Sequence, residues 1–203
     1  MTSIEYLTIE ADDTAAAQRF YADAFGLDKQ VRVRPSEAPT SGFRGFTVSL
    51  VVSQPSIVIG LHEAALEHGA TELKRAKKSL WGFGGVVQAP DGTIWQLVSS
   101  SKKDTGPDVR NIDEVVLLLG VADMAASKKF YVERGLTVGK SFAGKYTEFD
   151  GADSPIKLSL YPRKSLGKVA GTASEGSGSH RLAIAGGFGD FTDPDGYIWE
   201  STL

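Results

Sequence analysis

Two stretches of this chain nearly match: Ala89-Pro90-Asp91-Gly92-Thr93-Ile94-Trp95-Gln96 and Asp193-Pro194-Asp195-Gly196-Tyr197-Ile198-Trp199-Glu200. Pro-Asp-Gly presets one backbone angle and supplies a residue that tolerates positive φ, so each reads as a hairpin leading into a strand. The match does not stand alone. Ile4-Glu5-Tyr6-Leu7-Thr8-Ile9 is echoed by Ile112-Asp113-Glu114-Val115-Val116-Leu117, an offset of 112 - 4 = 108. Phe20-Tyr21 returns as Phe130-Tyr131 (130 - 20 = 110), and Gly26-Leu27 as Gly135-Leu136 (135 - 26 = 109). The hairpins themselves are 194 - 90 = 104 apart. Four landmarks in one order at nearly one spacing predict a tandem duplication. The copies span 1–100 and 109–203, joined by a polar Gly-Pro linker over 101–108.

Periodicity predicts the elements within each copy. Strand 4–10 is followed by a helix that starts at Asp12-Asp13 and ends at Gly26, with Ala17, Phe20, Tyr21 and Ala24 on one face. Strands are expected at 30–34, 46–52, 71–76, 83–88 and 94–99. A second helix starts at Pro55, with Val58, Leu61, Ala65 and Leu66 as its apolar stripe and His62 and His68 on the surface. The second copy has strand 112–119 and a helix capped by Asp123, with Ala126, Phe130 and Met124 facing inward. Strands 137–142, 145–149, 156–161 and 180–185 follow. Residues 165–179, rich in Gly, Ser and Ala, read as a mobile loop.

Composition narrows the function. The chain has 203 residues, 41% hydrophobic and 23% charged, with a net charge of -3. That balance gives no pull toward nucleic acid or an anionic membrane surface. Without cysteine, thiolate catalysis, disulfides and cysteine metal sites are excluded. No apolar run reaches the length of a membrane span, and the expectation is a cytoplasmic protein.

The duplicated Phe-Tyr, the Gly-Leu closing the same helix, and Pro-Asp-Gly-x-x-x-[Glu/Gln] resemble the vicinal oxygen chelate superfamily. That group includes glyoxalase I, bleomycin-resistance proteins and extradiol dioxygenases. The resemblance implies an α+β fold of two tandem abridged copies, built of βαβββ modules that form cupped, incomplete barrels. It also implies where metal ligands stand: on the first strand, in mid-copy strands, and at the end of the last strand. The first copy offers Tyr6, Thr47 and Gln96 there, which cannot make a normal divalent site. The second offers Glu114, His180 and Glu200, a set that could hold Fe, Ni, Zn or Mn, although the family usually has His where Glu114 stands. The other mid-copy position falls on an aliphatic residue around Leu158–Leu160. Convergence of Glu114, His180 and Glu200 in one site is the expectation.

Aromatic residues form the second constellation. Trp81, Phe83, Trp95 and Trp199, with Tyr6 and Gln96, are the candidate ligand-binding residues, able to stack a planar small molecule. Glycines around Trp81-Gly82-Phe83-Gly84-Gly85 let a backbone or ligand approach closely. Lys74, Arg75, Lys77 and Lys78 read first as the protected edge of a sheet, and second as capture of an anion. The function expected is a bleomycin-resistance-like binding protein with no catalytic residue and no resident cofactor. The alternative is a metal-dependent enzyme, a lyase of the lactoylglutathione-lyase kind, an isomerase or a dioxygenase. Because each copy is abridged, a homodimer is expected.

Overall fold

The computed structural model describes residues 3–107, 109–151 and 153–202. The first half runs β1 (Ile4–Ala11), α1 (Thr14–Phe20) with a π-helical turn (Tyr21–Phe25), β2 (Val31–Pro35) and β3 (Thr40–Gly42). It continues with β4 (Phe46–Val51), α2 (Pro55–Glu67), β5 (Thr71–Ser79), β6 (Gly82–Gln88) and β7 (Ile94–Ser99). The second half runs β8 (Glu114–Val121), α3 (Met124–Glu133), β9 (Thr137–Phe142), β10 (Tyr146–Asp150) and β11 (Lys157–Pro162). It closes with α4 (Arg163–Ala170), β12 (Gly176–Gly178), β13 (Leu182–Gly186), β14 (Phe191–Thr192) and β15 (Ile198–Ser201).

Local chemistry sets these boundaries. Asp13 Oδ1 accepts from the Ala16 amide at 2.9 Å, so Asp13 caps α1, while Asp12 pairs with Arg181 at 2.8 Å. Asp123 caps α3 through the amides of Ala125 and Ala126. Helix α2 starts on Pro55 without a side-chain cap. Its orphan donor at Ser56 N is met by Asp104 Oδ1 at 2.8 Å, and Gln54 holds the backbone of Thr105, Gly106 and Pro107. The segment between the halves is thereby pinned against α2.

The strands form two large sheets. The eight-stranded one is ordered β5-β6-β7-β4-β8-β11-β10-β9, and the five-stranded one β14-β15-β13-β1-β2. In the larger sheet β4–β7 and β8–β11 are parallel pairs, and β4 meets β8 antiparallel. Two complete βαβββ units, β4-α2-β5-β6-β7 and β8-α3-β9-β10-β11, thus lie back to back around that seam. The smaller sheet joins the abridged units: β1–β2 and β13–β15 are parallel, and β1 pairs β13 antiparallel. Both sheets are open and curved rather than closed, and both take strands from both sequence halves. The short β3 and β12 make a separate two-stranded ribbon.

One main core spans the two sheets. Leu7 and Ile9 of β1, Trp95 and Leu97 of β7, Leu117 and Leu119 of β8 and Trp199 of β15 all belong to it. A smaller core lies on the other face of the eight-stranded sheet, where Leu166 and Ala170 of α4 meet Phe43, Val86, Ile94 and Leu118. Strand β8 is therefore buried on both faces, which suits its run of aliphatic residues.

Four expectations are corrected here. Residues 165–179 are not a plain loop: α4 runs to Ala170, and Gly176–Gly178 pairs with β3. His62 is buried, 5% exposed, and it replaces Leu66 on the inner face of α2, whereas His68 is exposed as expected. On α3, Met124 and Phe130 pack partly buried against the core as expected, but Ala126 is exposed, and the fully buried positions are Ser127 and Tyr131. Trp95 and Trp199 are core residues, 0% and 1% exposed, and neither reaches a ligand. The hydrophobic drive to bury a whole indole accounts for that placement.

The two Pro-Asp-Gly hairpins have the same backbone pattern. Ala89 N donates to Thr93 O at 2.8 Å, and Asp193 N to Tyr197 O at 3.0 Å, with Gly92 and Gly196 at φ 93° and 92°. No side chain adopts that φ easily, so glycine is required at both turns. Among the described residues no helix is long and apolar enough to cross a membrane.

Candidate functional site: the cup of the eight-stranded sheet

The cup is the face of the eight-stranded sheet that carries α4. Strand alternation decides what it shows. Along β4, Val48 and Leu50 enter the main core, leaving Thr47 and Ser49 for the cup. Along β11, Leu158 and Leu160 enter the core, leaving Lys157, Ser159 and Tyr161. The mid-copy position placed on Leu158–Leu160 is corrected accordingly.

Two adjoining depressions share Gln96 and Val98. The first, about 300 Å³, is lined by Ser49, Glu114, Tyr146, Glu148, Lys157 and Tyr161 among others. Lys157 Nζ lies 2.5 Å from Glu114 Oε1. Tyr146 Oη donates to Glu148 Oε2 at 2.7 Å and lies 3.1 Å from Ser159 Oγ. The rings of Tyr146 and Tyr161 meet edge to face at 5.1 Å. Burial above all, with the Glu148 carboxylate beside them, pushes both phenols above their usual range, so both stand as neutral hydroxyls.

The second depression, about 400 Å³, is lined by Lys74, Lys77, Trp81, Phe83, Val98 and Val169 among others. Trp81 stands at the β5–β6 turn and is 86% exposed. Phe83, half-buried at the start of β6, only borders the depression, because its ring packs against the main core on the other face. At the boundary between the two depressions, Gln96 Nε2 donates to Thr47 Oγ1 at 2.8 Å, so the floor there is a bonded amide–hydroxyl pair. The glycines beside Trp81 admit backbone, not ligand. A Cβ on Gly85 would stand 3.0 Å from the Ala76 backbone and from His62 Cδ2, and one on Gly82 would stand 2.1 Å from Ser99 O.

Of the candidate residues, the structure brings Trp81, Phe83 and Gln96 together in the second depression, and Glu114 into the first. Tyr6 lies on the five-stranded sheet, with the Arg32 guanidinium 3.5 Å above its ring. His180 lies outside both sheets, with Nδ1 2.5 Å from Arg44 O, Nε2 3.1 Å from Asp195 O, and its ring stacked 4.1 Å from Tyr197. Each imidazole nitrogen is thus turned to a carbonyl, not to an open position. Glu200 binds Arg34 at 2.6 Å on the five-stranded sheet, and Arg34 also holds Glu10 at 2.7 Å.

Glu114, His180 and Glu200 therefore do not converge, which corrects the expected set. Each has been given a different partner by a different element. Among the described residues no three His, Asp or Glu side chains are arranged to hold an ion. The donors at the cup floor are Thr47, Gln96 and two carboxylates, Glu114 already paired with Lys157 and Glu148 already accepting from Tyr146, with no imidazole among them. That chemistry does not fit a transition-metal centre.

Lys157, Tyr146, Glu148 and Tyr161 were not singled out from sequence. The signal was present in the alternation of Lys157-Leu158-Ser159-Leu160-Tyr161, where the polar positions mark the face away from the core.

No family model matches the chain, and no curated protein matches it in sequence. Solved structures do match in shape. Glyoxalase I from Zea mays aligns over 98% of this chain and 91% of its own, at 16% identity and a TM-score of 0.63. A putative dioxygenase from Bacillus subtilis subsp. subtilis str. 168 aligns over 95% of this chain and 71% of its own, at 12% identity and a TM-score of 0.56. With two βαβββ units facing across β4 and β8, and that likeness along nearly its whole length, the chain has the vicinal oxygen chelate fold.

Proposed function

We propose that this is a binding protein that holds a small aromatic or amphipathic molecule in the cup of the eight-stranded sheet, without a metal. The observation that carries the reading is the pairing of an open indole with a floor of polar groups already bonded to one another. Trp81, with Val86, Val98 and Val169, offers apolar surface next to the Gln96–Thr47 pair. A planar ring gains from stacking on an indole that is otherwise in water. A metal-dependent lyase or dioxygenase needs free ligands that Thr47, Gln96, the Glu114–Lys157 pair and the Tyr146-bound Glu148 do not supply.

The test is a titration with 2-naphthylmethanol followed by tryptophan emission and by calorimetry. The chain has three tryptophans, and two of them are fully buried, so the exposed Trp81 is the reporter. Saturable binding that resists EDTA and weakens in Trp81→Ala is expected. Binding that vanishes with EDTA and returns with a divalent metal would overturn the reading, as would no saturable binding. In a parallel titration, parent and His180→Ala should take up Zn(II), Ni(II) and Fe(II) equally weakly. Both complete units lie in one polypeptide, so the cup asks for no second chain. A homodimer would join at an outer edge, β5 or β9, and sedimentation velocity reads it directly.

A further inference from the structure

The charged residues around the aromatic depression share one sign. Its ionisable lining groups are Lys74, Arg75 and Lys77, with no carboxylate among them, in a chain whose net charge is -3. Strict alternation would send Lys74 and Lys77 to opposite faces of β5. The ladder prevents it. Lys74 pairs Val86 and Lys77 pairs Gly84, so 77 - 74 = 3 steps on β5 face 86 - 84 = 2 on β6. That one-residue bulge turns both lysines to the same depression, and bulges commonly re-aim side chains in this way. Gly85 is what permits it, since the bulged Ala76 backbone occupies the space where a Cβ would stand. Edge protection alone needs lysines on β5 but does not need them gathered on one side.

Nor are these cations neutralised. Among the described residues, none of the ion pairs involves Lys74, Arg75 or Lys77. Lys74 Nζ donates to two backbone carbonyls of α4, Lys168 O at 2.7 Å and Val169 O at 2.6 Å. That fixes its charge beside the apolar wall. Burial first, then Lys77 and Lys168, holds its ammonium below the usual range, as expected of a cation crowded by cations.

We infer that the cup is selective for anions: its ligand is a planar aromatic carboxylate or sulfonate, ring against Trp81, anionic group toward Lys77 and Arg75. This rests on the proposed binding function and specifies its ligand class. Lys74 contributes field rather than contact, because its donors are already engaged by α4.

Three probes with one ring system separate the two claims: 2-naphthoate, 2-naphthylmethanol and 2-naphthylmethylammonium. They are titrated at low and high salt against the parent, Arg75→Gln/Lys77→Gln and Trp81→Ala. An exposed ion pair is worth up to about fivefold in affinity, so two should favour the carboxylate over the alcohol by about tenfold at low salt. The ammonium should bind more weakly than the alcohol. The double Gln variant should bring the three probes together without weakening the alcohol, and Trp81→Ala should weaken all three. If alcohol and ammonium match the carboxylate, anion selectivity fails while the aromatic cup stands. If the carboxylate preference survives in the double variant, the anion sits elsewhere and the inference fails. If none of the three binds, the proposed function falls with it.

Discussion

At the scale of residues, the duplicated tyrosine shows what the repeat is for. Tyr131 Oη donates to Asp193 Oδ2 at 2.6 Å, and Asp193 Oδ1 accepts from the amides of Asp195 at 3.0 Å and Tyr197 at 2.8 Å. Trp199 Nε1 donates to the same Tyr131 oxygen at 3.3 Å. In the first copy Ala89 stands where Asp193 stands in the second, and Tyr21 donates to the Asp91 side chain instead. Each helix tyrosine thus latches onto its Pro-Asp-Gly turn and packs on the following tryptophan, with ring centroids 5.3 Å apart in one copy and 5.6 Å in the other. Tyr131→Phe leaves a buried carboxylate short of one donor and should cost about 1.5–3 kcal/mol in chemical denaturation. Burial foremost, with the Asp195 charge, raises the Asp193 carboxyl above its ordinary value. A carboxyl so raised stabilises the fold when protonated. That contribution is complete below the unfolded value and lost as pH rises through the folded one. Compared at pH 7 and pH 4, the stability difference between parent and Asp193→Asn should therefore move toward the parent in acid. No movement, or movement the other way, would show that Asp193 is not the raised group.

At the scale of elements, α4 is the part that a reading of composition missed. Its eight residues, Arg163–Ala170, carry only Leu166, Val169 and two small positions as apolar material. Yet Leu166 and Ala170, four apart, land on one face and are both 0% exposed. The rest is long-range: Lys74 holds the last carbonyls, and Arg163 donates to Phe43 O at 2.6 Å and Ser174 O at 3.1 Å. Lys74 and Phe43 lie far outside the window that periodicity inspects, and a hydrogen bond to the Ser174 carbonyl leaves no mark on it. Leu166→Ala should cost about 2–5 kcal/mol, the range for a fully buried leucine. Lys74→Met should speed hydrogen exchange across 163–170 while leaving the exchange of β4 and β8 near the parent's. Equal protection of α4 in parent and variant would mean that the lysine does not hold the helix. By contrast, α1 was legible down to Ala17, Phe20, Tyr21 and Ala24, because its burial follows the helical period within one segment.

At the scale of the whole molecule, the repeat and its hairpins were legible because they are local and occur twice. The joining of units was not, since which sheet a strand enters depends on partners far away in sequence. The candidate site divided in the same way. Trp81, Phe83 and Gln96 were found from local signals, whereas Glu114, His180 and Glu200 were grouped by position in a repeat whose two last strands enter different sheets. Residues 1–100 and 109–203 each hold one complete unit and one abridged unit, and each lacks the antiparallel partner of its own first strand. β1 needs β13, and β8 needs β4. Expressed apart, each piece should lack a cooperative unfolding transition, and mixing or co-expressing them should restore one. Separate cooperative transitions in the isolated pieces would contradict this.

The nesting of one pair of units inside the other also has a consequence for synthesis. The complete units are neighbours in the chain, from Phe46 to Pro162, so the eight-stranded sheet can form as soon as they have left the ribosome. β1 precedes those units in the chain, but its antiparallel partner starts at Leu182, 182 - 11 = 171 residues after β1 ends. At about 5–20 residues per second, that is a wait on the order of ten to thirty seconds. Throughout it, one edge of β1 stays open, and Leu7 and Ile9 lack the neighbours that β13 supplies. Slowing elongation should lengthen that window and raise the fraction of chain captured by a holding chaperone, while a Leu7→Lys change should lower capture and fold yield together.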